Sequence, residues 1–145
     1  FLGGDYPGRA NLILAARKIN DSMPEYVRER ISGIMDENGI MELGRVGLYG
    51  LTYKENVDDV GESPTLQLLN CMRKHFAWGI KVYDPYVKNS IVPNQFIDFE
   101  KFLMEIDLLV VMVGHEHLIK NQNMVEDKLI FDTKNVLSGI DTYKL

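Results

Sequence analysis

The residues able to do chemistry in this sequence gather at the ends of apolar runs. Lys54, Asp58 and Asp59 follow the run VGLYGLTY; His115 and His117 follow LLVVMVG; Asp132, Lys134 and Asn135 follow LIF. Lys54 can pair as a point charge with a phosphate, helped by the amides of a helix start behind Ser63, or it is a solvated loop lysine. Asp58 and Asp59 can hold a metal or position a sugar hydroxyl, and adjacent loop carboxylates equally close turns. The pair His115-x-His117 is half of a metal site, and without other ligand clusters in the sequence no metal is expected. Cys71 is the single cysteine, so no internal disulfide forms and a reducing, cytoplasmic compartment is expected. It lies in the apolar helical pattern LLNCMRKHF, which predicts a buried structural thiol rather than a nucleophile.

Those residues need a scaffold. FLGGDYPG is a glycine-rich loop, and Leu12, Ala15, Ala16 and Ile19 repeat at helical spacing over Arg9 to Asn20. Ser22, Pro24 and Glu25 form a capping signal for a second helix with Val27, Ile31, Ile34 and Met35 on one side, nearly continuing the first around a kink and ending at Asn38-Gly39. The apolar stripes need a partner from elsewhere in the chain or from a second subunit; the Asn20-Asp21 pair reads as ordinary capping and loop chemistry. Val46 to Tyr53 reads as a buried strand in which Gly47 and Gly50 permit close approach of a helix or ligand. A polar loop over 54–62 follows, and Ser63 then caps a helix with Pro64 in its first turn. Ile80 to Tyr83 is a short strand, Phe96 to Glu105 a short helix, and 107–114 the central strand. A loop or short helix over 115–123 leads to a last strand, Leu129 to Phe131. Strand, helix, strand in under 40 residues implies parallel pairing with a right-handed crossover. The predicted fold class is α/β: an open, mostly parallel Rossmann-like sheet with helices on both faces, preceded by a helical arm. Residues 1–43 form the arm and 44–145 the sheet domain.

The composition limits the partners. With 145 residues the chain holds one domain, or one domain with an arm. A net charge of −5 and scattered basic residues argue against nucleic acid, and no apolar run approaches a membrane span. The chain starts at Phe1 with no targeting pattern, which reads as a piece of a longer protein. The glycines at 44, 47 and 50 lie before or within the first strand, so the G-x-G-x-x-G dinucleotide fingerprint is absent and a polar loop of about ten residues takes its place. An NAD site built wholly from this domain is therefore disfavoured.

At that loop the residues become specific. GLTYKENVDDVGESPTLQLL resembles the segment G-L-[ATS]-[FY]-K-x-x-[ITV]-D-D-x-R-x-S-P that opens the C-terminal domain of the UDP-glucose/GDP-mannose dehydrogenase family. RANLILAARKINDSMPEYV resembles that family's central helix, and KVYDPYV, LLVVMVGHEHL and DTKNVL fall where its later motifs fall. Within the family, MVGH and the ESP after the paired aspartates look closest to enzymes acting on UDP-N-acetylmannosamine.

The resemblance implies a two-step oxidation of a sugar C6 hydroxyl to the uronate through a cysteine thioester, with two NAD per turnover. The NAD domain and the nucleophilic cysteine would precede Phe1, and Cys71 does not match that cysteine. For this chain it implies UDP-sugar binding by Tyr53 and Lys54. It further implies substrate contact near Asp132, Lys134 and Asn135, with Asp59 as an additional candidate. Gly61 stands where the family usually has an arginine that helps hold the NAD phosphates. The implied partners are a UDP-sugar, the rest of the same polypeptide and a second copy meeting it through the central helix. The alternatives are a UDP-glucose or other UDP-sugar 6-dehydrogenase, and a sugar-nucleotide-binding or dimerisation module without catalytic function.

Overall fold

The structure, a computed structural model, describes the backbone from residue 8 and the side chains from residue 23 onwards. Residues 1–7 of the predicted loop FLGGDYPG and the side chains of Leu12, Ala15, Ala16, Ile19, Asn20 and Asp21 lie outside what it describes, and Gly8 already belongs to the first helix.

One helix, α1 (Gly8–Glu37), replaces the two predicted around Ser22. Pro24 lies inside it. A proline in a helix interior costs about 3 kcal/mol in lost hydrogen bonding and ring clash. Just beyond it, Val27, Ile31 and Ile34 are buried against the domain, and that docking offsets the cost of the proline. This half of the stripe thus finds its partner within the chain.

The remaining elements are β1 (Val46–Tyr49), α2 (Pro64–Lys74), β2 (Lys81–Tyr83), β3 (Gln95–Phe96), α3 (Phe99–Glu105), β4 (Leu108–Val111), α4 (Glu116–Lys120), β5 (Leu129–Asp132) and β6 (Tyr143–Lys144). The sheet has six strands in the order β3-β2-β1-β4-β5-β6, every pair parallel. The chain winds outwards from β1 through β2 to β3, crosses back to β4 and winds the other way. The order therefore reverses between β1 and β4, the place where open α/β sheets bind ligands.

Side chains alternate along the strands. Val46, Leu48, Val82, Leu108, Val110 and Phe131 pack beneath α1 and α2. Tyr49, Tyr83, Leu109, Val111 and Ile130 pack beneath α3 and α4. Gly47 lets α3 approach: a Cβ there would lie 2.5 Å from the Phe102 ring.

Besides the central strand, which runs over Leu108–Val111 rather than 107–114, three boundaries differ from expectation. The first strand stops at Tyr49 because Gly50, at φ +103, turns the chain under Val113. The helix placed from Phe96 starts at Phe99, and Gln95–Phe96 instead adds an edge strand too short to carry a period. Leu129–Asp132 is not the last strand, since β6 pairs beside it. There α1 reaches over the edge: Arg30 donates to the Lys144 carbonyl at 2.7 Å and stacks 5.2 Å from the Phe131 ring. The Ser63 cap and Pro64 first turn form as expected, the Ser63 hydroxyl accepting from the Leu66 amide at 3.2 Å.

Candidate functional site

The carboxyl ends of β1, β2, β4 and β5 meet along one edge, and a buried carboxylate organises it. Asp84, at the exit of β2, has no exposed side-chain surface. Its Oδ2 accepts from the amides of Leu51 and Thr52 at 2.6 and 3.2 Å and from His115 Nε2 at 2.9 Å. Its Oδ1 accepts from the Tyr86 amide at 2.7 Å. With four donors around it, the charge is fully compensated in a place where an unpaired one would be costly.

His115, equally buried, extends this network to the loop. Its Nδ1 accepts from the Asn56 amide at 2.9 Å. A backbone amide can only donate, so Nδ1 is unprotonated and Nε2 carries the hydrogen that reaches Asp84. The imidazole is thereby fixed as the neutral Nε2–H tautomer, and the His115–Asp84 contact is a charge-assisted hydrogen bond rather than an ion pair. Asn56, at φ 61, turns the loop and bonds the Glu116 amide at 2.9 Å through its own side chain. The Thr52 hydroxyl donates to the Lys54 carbonyl at 2.8 Å. β2, β4 and the first turns of α4 thus jointly set the path of residues 51–56.

His117 goes elsewhere, so the two histidines do not converge on a common ligand. Its Nδ1 lies 2.8 Å from the Tyr49 hydroxyl, among Tyr83 and Phe99. Burial holds its pKa below the ordinary value. Burial pushes the Tyr83 phenol up to about 12, with the Asp84 charge adding to the effect. These phenols stay protonated and serve as packing.

On this frame the predicted residues fall into two groups. Tyr53 and Lys54 project from the loop: Tyr53 is 58% exposed, and Lys54 is exposed without a carboxylate partner among the described residues. Asp59 closes the loop, its carbonyl accepting from the Tyr53 amide at 2.6 Å and its carboxylate from the Gly61 amide at 3.0 Å. Lys134 and Asn135 sit two strands away, after β5. Asp132 there is a turn former, accepting from the amides of Lys134, Val136 and Leu137, and Asn135 takes φ 55 in that turn. Lys134 lines a cleft of about 400 Å³ with Met23, Pro64, Gln67, Met112 and Thr133, which neither Tyr53 nor Lys54 borders. Two larger cavities, of 600 and 540 Å³, open at the opposite edge around the start of β5. Volume and chemistry disagree, and strand polarity with the buried network decides for the carboxyl edge.

Sequence reasoning put Asp84 at a strand end only as a turn before Pro85, and weighed His115 with His117 as half of a metal site without expecting a metal; it gave neither a structural role in the loop. A strand-exit acid followed by proline was the available signal. Its role depends on which strands flank it.

The same network bears on NAD. In a dinucleotide site the amides after the first strand face the pyrophosphate. Here those of Leu51 and Thr52 are taken by Asp84 and that of Tyr53 by Asp59, so the residues of this chain do not form a dinucleotide cradle at β1. Gly61 meets only Asp59 Oδ1, at 3.3 Å from a Cβ built on it, and its backbone does not require glycine.

Residues 47–139 match the model of the UDP-glucose/GDP-mannose dehydrogenase family, UDP binding domain. The chain belongs to this family. The UDP-N-acetyl-D-mannosamine dehydrogenase of Methanocaldococcus jannaschii is 35% identical over 89% of the chain, which spans 30% of that relative. The NDP-N-acetyl-D-galactosaminuronic acid dehydrogenase of Ralstonia solanacearum is 26% identical over 92% of the chain, which spans 32% of it. Among solved structures, the UDP-N-acetyl-mannosamine dehydrogenase of Staphylococcus aureus superposes with a TM-score of 0.76 at 28% identity, covering 99% of this chain and 35% of that one. The chain thus spans about a third of the relatives it matches. In family terms β1 and its exit loop open the UDP binding domain, and Asp84 and His115 are what hold that loop.

Proposed function

We propose that this chain is the nucleotide-sugar-holding part of an NAD-dependent dehydrogenase that oxidises the C6 hydroxyl of UDP-N-acetylmannosamine to the uronate, for cell-envelope or capsular polysaccharide. The observation that carries the reading is the exit of β1. The amides that would grip a dinucleotide are consumed internally, and the loop instead offers an exposed aromatic, Tyr53, and a lysine, Lys54, without a carboxylate partner among the described residues. A lysine there suits the diphosphate of a UDP-sugar, and Tyr53 offers a face to a base or sugar ring. Asp59 shapes this loop, and Lys134 and Asn135 approach the substrate from the β5 exit. NAD, with the cysteine nucleophile, belongs to another part of the same polypeptide. Cys71 lies between α1 and α2 towards the far end of α2, away from the carboxyl edge. The protein works in the cytoplasm as a homodimer joined through its long helix; among the described residues no helix is long and apolar enough to cross a membrane.

The preference for an N-acetylated sugar is supported by the relatives above, which are named for N-acetylated hexosamine derivatives. The test is calorimetric titration of the intact protein and of Lys54→Met with UDP, UDP-N-acetylmannosamine and UDP-glucose. One lost charge-assisted contact is worth about 1.5–3 kcal/mol, so K54M should bind all three about 10- to 150-fold more weakly. No binding of any UDP compound to the intact protein would defeat the reading. Tighter binding of UDP-glucose would move the assignment to that substrate.

A further inference from the structure

Where α1 crosses α2, Glu25 brings a carboxylate oxygen, Cys71 a sulfur and His75 an imidazole nitrogen within 4.8 Å of one another. Cys71 lies in the last turns of α2 and His75, four residues on, is its C-cap, and Glu25 meets them from α1. We propose that these three side chains form a binding site for a thiophilic divalent cation of the zinc class, which fastens the long helix to the sheet domain. Nothing in the nucleotide-sugar reading requires it, and it stands independently of that reading.

The donor set of sulfur, nitrogen and oxygen is one that zinc accepts, whereas magnesium and calcium want oxygen alone. A tetrahedral zinc site places its donors about 3.3–3.7 Å apart, from bond lengths of about 2.0–2.3 Å. His75 Nε2 and Glu25 Oε2 are 2.7 Å apart, so they separate slightly while the sulfur moves in. Arg28 is already arranged as an outer partner. Its Nε and Nη2 donate to Glu25 Oε1 at 3.1 and 3.0 Å, which orients the carboxylate and leaves Oε2 facing His75. The fourth coordination position has room for water, because a cavity of about 370 Å³ adjoins Glu25 and Cys71, bordered by Gln67, Asn70 and Lys74.

The proton accounting closes. The neutral His75 ring carries its single hydrogen on Nδ1 in the loaded site, so Nε2 gives up its hydrogen bond to Glu25 and offers its lone pair to the cation with no net proton released from the ring. The Cys71 thiol becomes a thiolate bound to the metal and releases one proton to solvent. Burial and Glu25 raise the free thiol's pKa, which keeps Cys71 protonated and inert without metal. A divalent charge beside the sulfur reverses that balance.

The experiment titrates the intact protein with Co²⁺, then displaces it with Zn²⁺, in the parent, Cys71→Ser and His75→Gln. The parent should develop a near-ultraviolet thiolate-to-cobalt band that Zn²⁺ abolishes, with one proton released per metal. Loss of an outer partner alone costs about 10- to 100-fold in metal affinity, so losing a direct ligand should cost roughly 100-fold or more. C71S should lose the band, and H75Q should weaken it by that factor. His75 is 43% exposed, so H75Q leaves the fold intact, which circular dichroism checks. A parent that takes up no cobalt, a band of equal strength in C71S, or equal affinity in H75Q would each overturn the proposal.

Discussion

Asp84→Asn is the sharpest perturbation of the carboxyl edge. The substitution keeps the shape and removes the charge. Three donors converge on Oδ2, from Leu51, Thr52 and His115, and one on Oδ1, from Tyr86. An asparagine oriented to accept at the first position turns its own amide hydrogens onto the Tyr86 amide; flipped, it faces three donors with another donor. The first orientation leaves one donor unpaired and turns three charge-assisted bonds into neutral ones; the flipped one leaves three donors unpaired and keeps a single neutral bond. An unpaired buried donor costs about 1–3 kcal/mol and the weakened bonds add to it, giving about 2–4 kcal/mol in total. For a chain of this size that is a fall in melting temperature of roughly 6–14 °C. Because the same carboxylate sets the path of the Tyr53–Lys54 loop, UDP affinity of the intact protein should fall about tenfold or more. Thermal unfolding and calorimetry, run on the same preparations, give both numbers. A melting point within about 2 °C of the parent would refute the energetic account. A lower melting point with unchanged UDP affinity would refute the link between the network and the loop.

Three further outcomes follow from the same geometry. At Gly61 an added Cβ meets only the Asp59 carboxylate and the backbone is ordinary, so Gly61→Arg should fold with stability within about 0.5 kcal/mol of the parent and lower the KM for NAD in the intact protein; an unchanged KM would show that this position does not face the cofactor. Gly47→Ala drives a methyl into the Phe102 ring and should cost about 1–3 kcal/mol by denaturant unfolding, with a cost near zero showing that α3 can move away. The pKa of His117 is lowered in the fold, so below an unfolded value of about 6.5 the unfolded chain binds more protons and stability drains as pH falls. The melting temperature should therefore hold at neutral pH and decline below about pH 6.5, less steeply in His117→Gln; identical slopes would exclude His117 as the cause. Glu25, held at about 2 by His75 and Arg28, adds its own loss further into acid, as pH falls from 4.5 towards that value.

Much of the architecture was legible in the sequence because it is written in local patterns. The apolar runs at Val46 and Leu108, the Ser63-Pro64 helix start and the strand-helix-strand spacing determined a parallel α/β sheet, and the motif around Tyr53-Lys54 pointed to the family. Local signals also misled where they were strong. Ser22 and Pro24 read as a helix start, yet the burial of Val27, Ile31 and Ile34 outweighs a proline in mid-helix. The two-residue strands β3 and β6 carry no period and are created by their neighbours. What only the tertiary structure decided is the strand order, and with it the site's support. Asp84 becomes an anchor because β2 lies beside β1, and His115 because β4 lies on β1's other side. A hydrogen bond across 31 residues of sequence exists only once both strands have docked, so no spacing along the chain announces it.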